Sequence, residues 1–281
     1  MAKSRLEKAI LLIVVIGPFI ATIYAITLLW QRLVTWNDIA IMLAMYFFTG
    51  IGITIGYHRM LTHRSFEAHP AVRFFFLALG SMALEGAAIT WASNHIKHHA
   101  NTDTDDDPHS PLQGFFHAHM GWFINGTKAD IETYGKYLLK DKMVMFISKT
   151  FFFWVVLGFV IPYLLGGWTG VLWGGLVRVF LTHHVTWSVN SVCHTFGNRP
   201  FDTGDESRNQ WLVGLLAFGE GWHNNHHAFP RSAFHGLRWY QFDMSSYIIR
   251  LLERLGLVSK VWRVPPERLQ ARSVSPAQSA E

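Results

Sequence analysis

Residues 149–178 read KTFFFWVVLGFVIPYLLGGWTGVLWGGLVR, with 28 uncharged positions between Lys149 and Arg178. This stretch is either one long tilted membrane helix or two helices folded back on each other. Pro162 and the Gly166-Gly167 pair stand in the middle, and apolar residues continue on both flanks. Proline and glycine favour a turn, so the stretch predicts a hairpin with spans at about 143–165 and 168–192. Which reading holds decides whether the chain before it and the chain after it share one side of a membrane.

Working outward, Ile10 to Trp30 is a run of 21 residues without a charge, and Ile39 to Tyr57 adds 19 more. A bilayer-spanning helix needs about 20 mainly apolar residues, so both runs qualify as spans. Only Gln31 to Asp38 separates them, which predicts a tight helical hairpin. Lys3, Arg5 and Lys8 resemble the basic start of a signal peptide, but the run is too long and no small-residue cleavage site follows it. Phe74 to Leu84, 11 residues between Arg73 and Glu85, is too short to cross and is read as interfacial or packed on the protein.

Composition agrees. Half of the 281 residues are hydrophobic, mean hydropathy is +0.19, and 15% are charged, against about 25% in soluble domains. This excludes a disordered chain, and the net charge of +5 is not gathered into a patch or stripe, so no nucleic-acid partner is expected. One cysteine, Cys193, excludes an intramolecular disulfide framework and a four-cysteine zinc ribbon. Of the 24 Lys and Arg, three precede the first span, eight fall in 58–142 and ten follow 192, while Arg32 alone would lie opposite. By the positive-inside rule both termini and both large loops face the cytoplasm. The expected architecture is all-α and integral to the membrane. Four transmembrane helices (about 10–30, 39–57, 143–165, 168–192) form two hairpins under a cytoplasmic helical cap from 58–142 and 193–263. Residues 1–263 form one domain, and 264–281, rich in Pro, Ser, Ala and Arg, form a disordered tail.

The 16 histidines exceed what packing requires. His58 and His63 follow the second span, and the pattern H-x-x-H-H occurs twice, as His95, His98, His99 and as His223, His226, His227. Positions three and four apart share one helix face, so each triplet can converge. His58 and His63, five apart, are about 140° apart on an α-helix and converge only at a helix end or a bend. Eight imidazoles exceed the four ligands of one zinc and suit two metals of the Fe, Zn, Cu or Ni type rather than Mg or Ca. A shared site requires an even number of spans between the clusters, which the hairpin at 166–167 supplies. A lone histidine at a membrane edge is more often a satisfied polar group, and His69, His117, His183 and His235 are read that way.

The order and spacing of these boxes resemble the membrane fatty acyl desaturases of the stearoyl-CoA desaturase type, over roughly 36–245. Gly56-Tyr57-His58-Arg59, Asp107-Pro108-His109-Ser110, the run from Thr186 to His194 and Gly219-Glu220-Gly221-Trp222 ahead of the third box carry the likeness as well. The resemblance implies a cytoplasmic non-haem di-iron centre. Its ligands would be His58, His63, His95, His98, His99, His194, His223, His226 and His227, with Asn190 acting through a water. It implies that two iron ions with O2 as co-substrate place a cis double bond, at Δ9, into a saturated C16–C18 acyl chain. Acyl-CoA is the first carrier, with acyl carrier protein or a glycerolipid as alternatives, because the stretch before the second box, Glu85-Gly86 and Trp91-Ala92-Ser93-Asn94-His95, lacks the Arg-Asp pair of the animal enzymes. Trp91, Thr186 and Trp187 match residues that bend the acyl tunnel. Tyr46 and Gly50 match its end, Gly50 leaving room and Tyr46 stopping the chain; ordinary helix-packing roles are the other reading of these two. With no His-Pro-Gly-Gly motif of a fused cytochrome b5, electrons are expected from a separate ferredoxin or cytochrome b5 with its reductase. The rivals are a di-iron membrane hydroxylase of alkanes, sterols or carotenoids and, from other classes, a metal transporter or a zinc hydrolase. Transport would place ligands along a path inside the bilayer, whereas the nine assigned histidines flank the spans. No H-E-x-x-H or G-x-S-x-G motif is present.

Overall fold

The computed structural model describes residues 3–31, 33–126 and 128–273. Among the described residues three helices are long and apolar enough to cross a membrane: α1 (Arg5–Trp30), α2 (Trp36–Thr62) and the 44-residue helix Phe151–His194. Each of the first two begins with a reciprocal cap, Ser4 with Glu7 and Thr35 with Asp38, in which hydroxyl and carboxylate satisfy backbone N–H groups that no helix turn reaches. Their outward faces are bare hydrocarbon, with Ile13 70% and Ile20 59% exposed. Soluble monomers rarely show such continuous apolar surface.

The third helix doubles back. Gly167 has φ 60° and ψ −143°, a conformation that glycine adopts without a Cβ penalty. Arg178 Nη2 donates to the Gly158 carbonyl at 3.0 Å. Residues 20 apart on a straight helix would be about 30 Å apart. The chain therefore forms two arms, α6 (151–166) and α7 (168–194), as the Pro and Gly positions predict. The preceding arm starts later than 143, however. Asp141 caps a separate amphipathic helix, α5 (Lys142–Lys149), which buries Val144 and Ile147 in the main core, and the chain breaks at Thr150 before the apolar arm begins. The turn between α1 and α2 is short, as expected, but both helices pack on the first turns of α7, where Ala25, Trp173 and Val177 form a cluster with Ile39 and Met42.

Helix α3 (Pro70–Met82) is too short to cross and packs on α2, where glycines bring the backbones together. A Cβ on Gly56 would lie 2.8 Å from the Phe76 carbonyl oxygen. Tyr57 and Ser81 share a hydrogen bond of 2.6 Å across this contact. The end of α3 is buried, so its orphan carbonyls need donors. Arg178 Nη1 donates to Met82 O at 2.7 Å, and His183 Nε2 lies 3.1–3.2 Å from the Ala83 and Leu84 oxygens. The remaining cap contains α4 (Ala88–Asn101), α8 (His223–Ala228) and α9 (Met244–Arg254), joined by loops. The all-α expectation has one small exception, an antiparallel pairing of Glu67–Ala68 with Val258–Ser259. The tail expected to be disordered from 264 is helical over α10 (Pro266–Arg272). Leu269 packs near Phe201 and Phe229 there, and Arg272 donates to the Ala228 carbonyl. Residues 274–281 and Arg32, part of the charge count above, lie outside the described residues.

Gly56→Ala is expected to cost about 1–3 kcal/mol, because backbone rather than a side chain blocks the added methyl. Gly17→Ala, where the methyl meets open space on α1, should leave stability unchanged or raise it by roughly 0.5–1 kcal/mol. Thermal melting of both variants in detergent checks the pair; equal melting temperatures would contradict the packing described.

Candidate metal centre

The turns that end α2 are wider than an α-helix. From Gly52 to Thr62 the backbone bonds in the i→i−5 sense, closing with His63 N–H to His58 O at 3.0 Å. In such a helix each turn takes up more residues than in an α-helix, so residues five apart come closer to one face. This brings the His58 and His63 rings to 4.7 Å, which a regular α-helix would not do. The convergence that the sequence assigns to a helix end or a bend is achieved by a change of helical pitch.

Each H-x-x-H-H pattern then divides between two cages. On α4, His95 and His99 face one way and His98 the other; on α8, His226 faces the first cage while His223 and His227 face the second. The first cage is His58, His63, His95, His99 and His226, and the second is His98, His194, His223 and His227, with ligand atoms within 4.8 Å of one another in each. All nine histidines assigned from the sequence are present. In the first cage Nε2–Nε2 separations are 3.2 Å (His58–His226), 3.1 Å (His63–His95), 3.0 Å (His95–His99) and 2.9 Å (His99–His226). In the second they are 3.0 Å (His194–His223) and 3.4 Å (His98–His227). Imidazoles bound to one metal at 2.0–2.1 Å stand about 2.9–3.4 Å apart, from right-angled to tetrahedral geometry.

The other ring nitrogens decide what those Nε2 atoms are. His58 Nδ1 lies 2.7 Å from Glu220, His98 Nδ1 3.0 Å from Asp107, His194 Nδ1 3.0 Å from Asp103 and His227 Nδ1 2.8 Å from Asp205. A carboxylate holds the proton on Nδ1, so Nε2 presents a lone pair. Where two such lone pairs face each other, as His98 and His227 do at 3.4 Å, they repel unless a cation lies between them, and the residues of each cage fit a metal. Burial first, and neighbouring imidazoles second, hold His95, His98, His99, His223 and His226 well below the usual histidine range. They are therefore neutral at pH 7, the ligating form.

Sequence reasoning gave no role to the carboxylates. The run Asp103 to Asp107, directly after the second box, and Glu220, three before the third, were the signal. Arg59, fully buried, ties this layer together by pairing with Glu220 at 3.1 Å and Asp243 at 3.0 Å. Burial alone would raise the Glu220 carboxyl; His235, His58 and Arg59 hold it well below the carboxylate range. His235, read as an isolated polar group, lies against the first cage: its ring is 4.5 Å from His226 and its Nδ1 is 3.0 Å from Glu220. The other three read that way have local partners. His69 accepts from Ala71 N, His117 lies 3.3 Å from the Pro108 carbonyl, and His183 caps α3.

A cavity of about 360 Å³ adjoins both cages. His58, His95 and His223 line it, as do Asn190, Trp91, Thr186, Trp187, Tyr46 and Gly50, so every tunnel residue taken from the resemblance faces one space. Asn190 stands one turn before His194 on α7 and lines the same cavity. Trp91 stacks on His95 at 5.2 Å and donates its indole N–H to Glu85 at 3.0 Å. Burial pushes the Glu85 carboxyl up to about 7, with Thr186 and Trp91 opposing. One expectation needs correction. Gly50 does not leave open room, because a Cβ there would fall within the Phe218 ring.

The chain matches the family model for fatty acid desaturase over residues 33–253. It is 43% identical over 255 residues to an acyl-CoA C20 Delta5-desaturase of Anemone leveillei, covering 89% of this chain and 81% of that protein. It is 43% identical over 231 residues to an sn-1 stearoyl-lipid 9-desaturase of Anabaena variabilis, with 81% and 85% covered. It is 38% identical over 259 residues to a chloroplastic palmitoyl-monogalactosyldiacylglycerol delta-7 desaturase of Arabidopsis thaliana, with 90% and 69% covered.

Elemental analysis of the purified protein is expected to find two metal ions per chain. Asp107→Asn should weaken metal retention about 10–100-fold by releasing His98; full retention would show that the carboxylate layer is not needed. Acidification tests the neutral imidazoles. His109 and His235 are both pushed down to about 4, chiefly by burial, whereas an unfolded histidine titrates near 6.5. The unfolded chain then binds more protons between pH 6.5 and about 4, so stability of the metal-free protein is retained above 6.5 and falls through that window. Melting temperatures across pH 4–8 that do not fall below 6.5 would contradict this.

Proposed function

The chain belongs to the fatty acid desaturase family, and from that premise we propose that it is an O2-dependent desaturase placing a cis-Δ9 double bond in saturated C16–C18 acyl chains. The observation that carries the reading is the junction of two nitrogen cages with one apolar cavity. An unactivated methylene offers neither an acidic proton nor a leaving group, so acid–base side chains have no purchase on it and a cofactor must supply the oxidising power. Two iron ions, one per cage, would supply it by activating O2, with Asn190 reaching the second through a water. Two electrons come from the acyl chain and two from a donor, and O2 leaves as two waters. The protein's own residues hold the chain and exclude water. Neighbouring methylenes differ little in reactivity, so the position of the new bond is set by how far the chain enters beside Trp91, Thr186 and Trp187.

The hairpin at Gly167 supports four spans, and the Lys/Arg distribution supports a cytoplasmic site with both termini on that side. Acyl-CoA remains the first carrier. The lack of an Arg-Asp pair before the second box, together with similarity to a stearoyl-lipid desaturase, supports a glycerolipid-bound chain as the second. Electrons would come from a separate ferredoxin or cytochrome b5 with its reductase.

Expression in a desaturase-deficient host, with double bonds mapped by mass spectrometry, should give new cis-Δ9 C16 and C18 chains. An alcohol retaining one O2-derived oxygen would instead identify a hydroxylase. His58→Ala should abolish product while leaving the protein folded in membranes, and an active variant would remove His58 from the centre.

A further inference from the structure

Resting on that reading, we propose that Phe218 is the distal wall of the acyl tunnel and the residue that limits chain length. Phe218 has φ 53°, in a left-handed region that a bulky side chain occupies only where its surroundings hold it. They do hold it. Ser245 N–H donates to the Phe218 carbonyl at 3.1 Å, and Gly219 N–H donates to Gly214 O at 2.8 Å. Thr54 and Ser245 share a side-chain hydrogen bond of 2.9 Å that ties this loop to α2. The result of that backbone is a ring laid across α2. It lies 5.5 Å from the Tyr46 ring and 5.7 Å edge-on from Phe47, and it takes the volume a Gly50 side chain would need. Tyr46 is fixed from the same loop side, its hydroxyl donating to Leu216 O at 2.9 Å. Phe218, Tyr46 and Gly50 all line the cavity that reaches the cages.

Gly50 is thus small to admit the ring, and the ring, not the glycine, faces the end of the substrate. Gly50 and His58 lie eight residues apart on α2, so the ring and the first cage stand at the two ends of one short stretch of that helix. The same loop continues through Glu220 to His223, so the end stop and the cage ligands are positioned by one segment.

The test compares wild type, Phe218→Ala and Phe218→Gly in the desaturase-deficient host supplied with saturated C14 to C22 acids. Glycine suits the left-handed backbone and offsets part of the packing lost with the ring, so Phe218→Gly should stay folded with wild-type metal content. The proposal predicts that the ratio of C20 to C18 monoene product rises about ten-fold or more in both variants, the scale on which pockets discriminate methylenes. The double bond should keep its distance from the carboxyl end. An unchanged ratio in folded, metal-loaded Phe218→Gly overturns the assignment, whereas no double bond from wild type overturns the desaturase reading itself. A second readout needs no activity. Gly50→Ala should lower the melting temperature when Phe218 is present and leave it unchanged in the Phe218→Gly background; a neutral Gly50→Ala in the wild type would overturn the packing of the ring on the glycine.

Discussion

Nine buried imidazoles with facing ring nitrogens about 3 Å apart call for cations wherever both facing nitrogens carry a lone pair, and the rest of the molecule is arranged around that constraint. The carboxylates of Asp103, Asp107, Asp205 and Glu220 create it at four of the nine rings, because each places a proton on the outer nitrogen and leaves the inner one bare. Arg59, buried and paired with two carboxylates, keeps the layer ionised. An Arg59→Met change would leave Glu220 and Asp243 buried without their cation, a far larger disturbance than loss of a surface pair.

The scaffold delivers histidines from four separate segments to within a few ångströms of one another. Widened turns align His58 with His63. The reversal at Gly167 returns the chain so that His194, at the far end of α7, meets His98 and His223. Arg178 and His183 hold the buried end of α3, from which the chain turns to Glu85 and into α4 with its three ligands. Each H-x-x-H-H helix serves both cages, so a rotation of α4 or α8 would disturb both metal sites together.

Much of this was legible in the residues. Apolar run lengths identify the long helices, Pro162 and Gly166-Gly167 locate the reversal, and helical spacing pairs the triplets. The boundary at Thr150 was not legible, because hydropathy runs on through Met143 to Phe146 and only the cap at Asp141 marks the separate helix. The π-type turns were invisible because hydrogen-bond pitch leaves no mark in residue type at this length. Acidic partners were hidden for a different reason: aspartates in a run read as a solvated loop until folding buries them against histidines. Gly50 shows the limit of carrying a position over from a resemblance, since a small residue signals a close neighbour without saying whether that neighbour is substrate or the protein's own ring.

X-ray absorption at the iron edge of the iron-loaded protein addresses the two-cage account most directly. A first shell dominated by nitrogen, with the outer-shell scattering of imidazole and two irons per chain, is the expected spectrum. A shell dominated by carboxylate oxygen, or a single iron per chain, would contradict the assignment of all nine histidines to two neighbouring metal sites.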